Sequence, residues 1–140
     1  MSRSNTVASQ LRAMLEDRGG EVDVPLLKGG TFRARLVPGG IEVDNLGLQP
    51  TLSWDAFEAA VRCLEESGGR AARGDAMNAR LGDAALPLDS VEGYVAHTVY
   101  GRQAGQTVFR RITPLACLLI WAGVCEAHPG ELVLKRSLES

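Results

Sequence analysis

TFRARLVPGGIEVDNL, residues 31–46, is the stretch on which the fold turns. Phe32, Ala34 and Leu36 alternate with Arg33 and Arg35, the period-two pattern of a strand with one face buried. Pro38-Gly39 interrupts the pattern, and it resumes from Ile41 to Leu46. If those two residues form the loop of a hairpin, Arg35 faces Glu42 and Arg33 faces Asp44 on one side. Leu36 then meets Ile41 on the other, so charges of opposite sign and apolar side chains pair in a single register. A longer, bulged turn would shift the pairing by one residue on one strand. Upstream, Val22, Val24 and Leu26 alternate with Glu21, Asp23 and Pro25, and Lys28-Gly29-Gly30 turns that strand into the hairpin. Pro25 lacks an N–H and places its strand at an edge. The expectation is a three-stranded antiparallel meander.

Helices flank it. Val7, Leu11, Met14 and Leu15 fall on one stripe of a helix over residues 5–18, capped by Ser4 or Asn5 and stopped at Gly19-Gly20. Ser53 caps a second helix that runs to Gly68-Gly69, with Trp54, Phe57, Val61 and Leu64 inward and Asp55, Glu58, Arg62, Glu65 and Glu66 outward. The segment GGRAARGDAMNARLGDAALPLD (68–89) is too long to be structureless in a compact domain. It is expected to hold a short helix from Ala76 to Leu81, capped by Asp75 and stopped by Gly82.

VEGYVAHTVY, capped by Asp89 or Ser90, repeats valine every four residues and favours helix over 90–100, although its β-branched content leaves a strand open. TVFRRI follows the turn-like residues 101–106. Thr113 as N-cap and Pro114 in the first turn then open a helix over 113–126, ended by His128-Pro129-Gly130. ELVLK (131–135) reads as a strand. The fold class is therefore α+β, one domain over residues 1–140 with sub-parts 1–67 and 90–136.

Composition supports a globular chain: 45% apolar and 23% charged residues. With 5% aromatics, the core must rest on Leu, Val and Ala. No apolar leader follows Met1, and the longest apolar run, Pro114 to Cys125, falls short of the roughly 20 residues that span a bilayer. Cys63, Cys117 and Cys125 read as free core thiols in a reducing compartment, hence a cytoplasmic location and no membrane partner. A net charge of −2 argues against a protein that coats nucleic acid. The charge is uneven, however: between Glu92 and Glu126 there is no acid, only Arg102, Arg110 and Arg111.

Motifs for chemistry are scarce. The spacing of Cys117, Cys125 and His128 matches no structural zinc pattern. His97 and His128 have no nucleophile tied to them by any pattern, and no nucleophile elbow, phosphate-binding lysine loop or paired-histidine zinc helix is present. No catalytic residue, metal or cofactor is expected. Arg70, Arg73 and Arg80 lie among glycines that let a backbone approach a ligand, and arginine suits bidentate phosphate contact. The alternative is a connector whose arginines stay solvated or pair with Glu65, Glu66 and Asp75.

The order helix 53–67, helix 90–100, helix 113–126 and the β element HPGELVLK, with LLIWAGVCEAHPGELVL leaving a helix through a glycine turn, resembles a winged helix-turn-helix domain. That resemblance implies DNA binding. Helix 113–126 has almost no polar side chain after Thr113, so contacts are expected to be with phosphate more than with bases. The first expectation is a DNA-binding or DNA-associated accessory protein that uses Arg70, Arg73, Arg80, Arg102, Arg110 and Arg111. The second is an interaction module that binds itself or another protein. It would use Leu115, Leu118, Leu119 and Trp121, or the free edge of the 21–46 sheet.

Overall fold

The hairpin forms in the two-residue register. A computed structural model describes residues 6–135. In it α1 (Val7–Glu16) leads into β1 (Glu21–Pro25), β2 (Thr31–Val37), β3 (Gly40–Val43) and β4 (Thr51–Ser53), an antiparallel sheet in chain order. Arg35 stands opposite Glu42, Leu36 opposite Ile41 and Val37 opposite Gly40. Gly39 takes φ 88°, the left-handed turn conformation that a glycine after proline supplies. Arg35 and Glu42 form an ion pair, while the Arg33 guanidinium turns to Asp23 on β1 at 3.2 Å. The Asp44 carboxylate instead accepts the backbone N–H of Arg33.

The meander has four strands where three were expected, because β4 is too short to show alternation. Its carbonyl at Leu52 would lie 2.1 Å from a Cβ at position 40, so Gly40 is required by the close approach of the two strands.

The N-cap of α1 is Thr6, which accepts the N–H of Ser9; the expected caps Ser4 and Asn5 lie outside the described residues. Ser53 caps α2 (Trp54–Glu66) as expected, accepting the N–H of Ala56. Glu58 is not on the wet face of α2, since its carboxylate accepts the N–H of Ala8 at 3.0 Å and closes the first turn of α1. Alanines 56, 59 and 60 widen the buried face of α2, letting it pack on both α1 and α3 (Val91–Thr98).

In the second half, β5 (Arg70–Ala72), α3, α4 (Ile112–Trp121), β6 (Cys125–His128) and β7 (Glu131–Leu134) follow in order. The strands form an antiparallel sheet in the order β5-β7-β6. Ser90, not Asp89, caps α3 by accepting the N–H of Gly93.

Two expectations fail here. The helix at 76–81 does not form: the Asp75 carboxylate accepts the N–H groups of Met77 and Asn78 and holds a local turn instead. Leu81 and Leu86 anchor this irregular segment by packing with Ala96 and Val108. The helix expected over 113–126 starts at Ile112 and stops at Trp121. Gly123, at φ 80°, breaks it, so Cys125 lies in a strand and Pro129-Gly130 is the turn of the β6–β7 hairpin. The apolar run continues through Val124 and Cys125 without a polar break, so periodicity alone could not separate helix from strand.

One core joins the two halves. Leu11 and Leu15 of α1, Val24, Phe32 and Ile41 of the first sheet, Phe57 and Leu64 of α2, Leu115 and Leu118 of α4 and Leu132 of β7 all belong to it. Leu115, Leu118 and Leu119 are 0% exposed, so these three expected interface residues face the protein's own interior. Trp121 is half-buried, with the Arg18 guanidinium 5.5 Å from its ring. No helix among the described residues is long and apolar enough to cross a membrane.

Candidate functional site

The structure sorts the six arginines by what they already hold. Arg70 on β5 pairs with Glu131 on β7 at 2.7 Å. Arg73 donates to the carbonyls of His128 and Glu131, tying the end of β5 to the β6–β7 turn. Arg102 forks the Thr107 carbonyl with Nε and Nη2 at 2.9 and 2.7 Å, closing the 102–107 loop. Arg80 is exposed and reaches the Gly105 carbonyl at 3.4 Å. Arg111 is buried at 5% exposure. Arg110 is exposed and forms no ion pair among the described residues.

Residues 107–112 run between two clefts. Arg110 and Ile112 line one; Thr107, Val108, Phe109 and Arg111 line the other.

The first cleft, about 410 Å³, lies between the β1–β2 turn, the backbone after β5 and the first turn of α4. Lys28, Arg73 and Arg110 line it, and among the described residues no carboxylate does. Ala116 and Cys117 contribute apolar wall, and Leu27 is 51% exposed beside them. The carboxyl of Asp75 is lowered first by its hydrogen bond from Asn78, with Arg110 a weaker contributor. Burial pushes the Cys117 thiol up, so it is no thiolate nucleophile.

The second cleft, about 510 Å³, has Gln49, Tyr100 and Arg102 as its remaining walls. The Arg111 guanidinium lies 3.6 Å from the Tyr100 ring centroid and 5.0 Å from that of Phe109. Its Nη2 donates to Gln49 Oε1 at 2.7 Å and its Nη1 to the Phe109 carbonyl at 3.4 Å. Burial lowers the pKa of Arg111, opposed by Tyr100 and Glu92.

Glu92, 0% exposed on α3, accepts the N–H groups of Arg111 and Ile112 at 2.9 and 2.8 Å on one oxygen. It thereby caps α4, a role expected of Thr113, and Arg111 occupies the N-cap position with no side-chain cap. Burial raises the Glu92 pKa, while those two N–H groups and the nearby arginines pull it down.

Lys28, Gln49, Glu92 and Tyr100 were not singled out from sequence. Only Glu92 carried a signal, as the acid that opens the acid-free stretch. Among the described residues no group of three or more His, Cys, Asp or Glu side chains is placed to hold a metal. Burial pushes the Cys63 and Cys125 thiols up to about 11 and about 12. His128 meets Glu126 at 3.0 Å, and the Nδ1 of His97 lies 2.9 Å from the Arg102 carbonyl.

What fold and site define is an α+β protein with two cationic clefts flanking the start of a buried helix. Comparison with protein-family models, with curated proteins and with solved structures gave no match. The functional reading rests on the residues themselves.

Proposed function

We propose that this is a DNA-associated accessory protein that grips the phosphate backbone at the Lys28–Arg73–Arg110 cleft and does not read bases. The observation that carries the reading is three cationic side chains, with no carboxylate from the described residues among them, lining one open groove. The order of the second half supports it. Helix, strand, helix, helix and hairpin, with sheet order β5-β7-β6, resembles a winged helix-turn-helix domain.

In that resemblance α4 takes the position of the recognition helix. Here α4 packs on β1, β6 and α2 and carries no charged side chain, so beyond Thr113 in its first turn it offers little to read a base edge with. Phosphate contact remains. The surface is narrower than six arginines, since Arg70 is paired with Glu131, Arg111 is buried, and Arg80 and Arg102 do not line this groove.

Three cations release about three counterions, so the affinity for duplex DNA should fall with salt at a log–log slope of about −2.7. Fluorescence anisotropy of a labelled random-sequence duplex across a salt series measures this slope. Absence of binding at low salt overturns the reading. The protein-interaction reading would then rest on β1, whose free edge in the order β1-β2-β3-β4 can accept a partner strand.

A further inference from the structure

The second cleft contains two polar atoms that the fold buries and leaves unanswered. Tyr100 Oη and Arg111 Nε are shielded from solvent and have no hydrogen-bond partner among the described residues, and both residues line the cleft. Buried polar groups in folded proteins are almost always paired, so two orphans in one cleft call for an explanation.

Charge sharpens the point. Arg111 is 5% exposed and forms no ion pair among the described residues. The nearby acid, Glu92, spends one oxygen on two backbone N–H groups, and its other oxygen is itself without a partner. A buried guanidinium normally has a carboxylate, phosphate or comparable anion against it. Here its face is stacked on Tyr100 and one edge is held by Gln49. Both orphan atoms are closed to solvent, so a ligand reaches them only after the side chains that cover them shift.

We infer that the cleft beside Tyr100 binds a small oxyanion, a phosphate or carboxylate group held by Arg111 Nε and the Tyr100 hydroxyl. Gln49 Oε1 is occupied by Arg111, which leaves the Gln49 amide NH2 as a third donor. Val108 and Phe109 give an organic body of the ligand apolar wall. This site is separate from the Lys28–Arg110 groove and stands or falls independently of DNA binding.

The test is NMR observation of the arginine Nε–H signals while inorganic phosphate, and separately acetate, is titrated into the full chain. The Arg111 signal should shift saturably with one-to-one stoichiometry. Tyr100→Phe keeps the ring and the stacking and removes only the hydroxyl. It should raise Kd at least about tenfold, as the loss of one hydrogen bond to a charged group does. Gln49→Ala, at an exposed position, should also raise Kd with the fold intact.

Lys28→Ala with Arg110→Ala should leave this affinity unchanged, which separates it from the DNA surface. A nucleoside monophosphate binding more tightly than a dinucleoside phosphodiester identifies a free small molecule as the source. The reverse order identifies a nucleic-acid backbone phosphate, and either order upholds the site. No saturable shift with phosphate or acetate overturns the inference, as does unchanged affinity in both Tyr100→Phe and Gln49→Ala.

Discussion

The cleft at Arg110 and the cleft at Arg111 share residues 107–112 as a wall, yet differ in how far the protein already uses their charge. Around Arg110 the cations are solvated or bound to carbonyls, and the groove opens to water. Around Arg111 the cation is stacked, hydrogen-bonded and buried, with a buried carboxyl close behind it. A solvated cation is suited to a mobile polyanion, bound weakly and in a salt-dependent way. A preorganised, desolvated one is suited to a small anion bound in a single pose, where electrostatic attraction is screened far less. Sequence adjacency hides this contrast, because the two neighbouring side chains line different clefts.

Weakening α4, which lines the Arg110 cleft, should have the largest effect. Leu118→Ala takes a fully buried side chain from α4 and should cost about 2–5 kcal/mol, read by urea unfolding. A loss below about 0.5 kcal/mol would mean that α4 does not anchor the core.

Next in size is the contrast between the two arginines. Arg111→Met removes the stacked guanidinium and its bond to Gln49, and should cost about 1–3 kcal/mol of stability. Arg110→Met should stay within about 0.5 kcal/mol of wild type. Equal losses in the two variants would dissolve the distinction between a structural and a solvated arginine.

The smallest effect concerns pH and Glu92. Burial raises the pKa of this carboxyl in the folded state above 4.5. The folded protein therefore keeps the proton to higher pH than the unfolded chain does. Wild type should lose stability relative to Glu92→Gln as pH rises from about 4.5 through the folded value. Thermal melts of the two proteins across pH 4–8 measure the difference. A drift in the opposite sense would show that the N–H groups of Arg111 and Ile112, together with the arginine charges, outweigh burial.

How much the sequence revealed followed the distance to each residue's partner. The 31–43 hairpin was legible down to its register because Arg35 and Glu42, and Leu36 and Ile41, lie close along the chain on either side of Pro38-Gly39. The caps at Ser53 and Ser90 were equally local. The 70–89 segment was not, because β5 pairs with β7 some sixty residues later and the loop is anchored by Leu81 and Leu86 against Ala96 and Val108. No periodic pattern records such contacts.

The site followed the same rule. Arginine as the residue type was visible, but the partners that decide its role, Glu131 for Arg70 and the Thr107 carbonyl for Arg102, emerge only on folding. The same holds for Gln49, which reaches Arg111 from the loop before β4.

The most direct test of the central claim is the salt dependence of duplex DNA binding in wild type and in the double variant Lys28→Ala, Arg110→Ala. The account predicts weaker binding on every duplex sequence and a log–log salt slope shallower by about 1.8, the share of two phosphate contacts, with the melting temperature unchanged. An affinity and slope equal to those of wild type would contradict it.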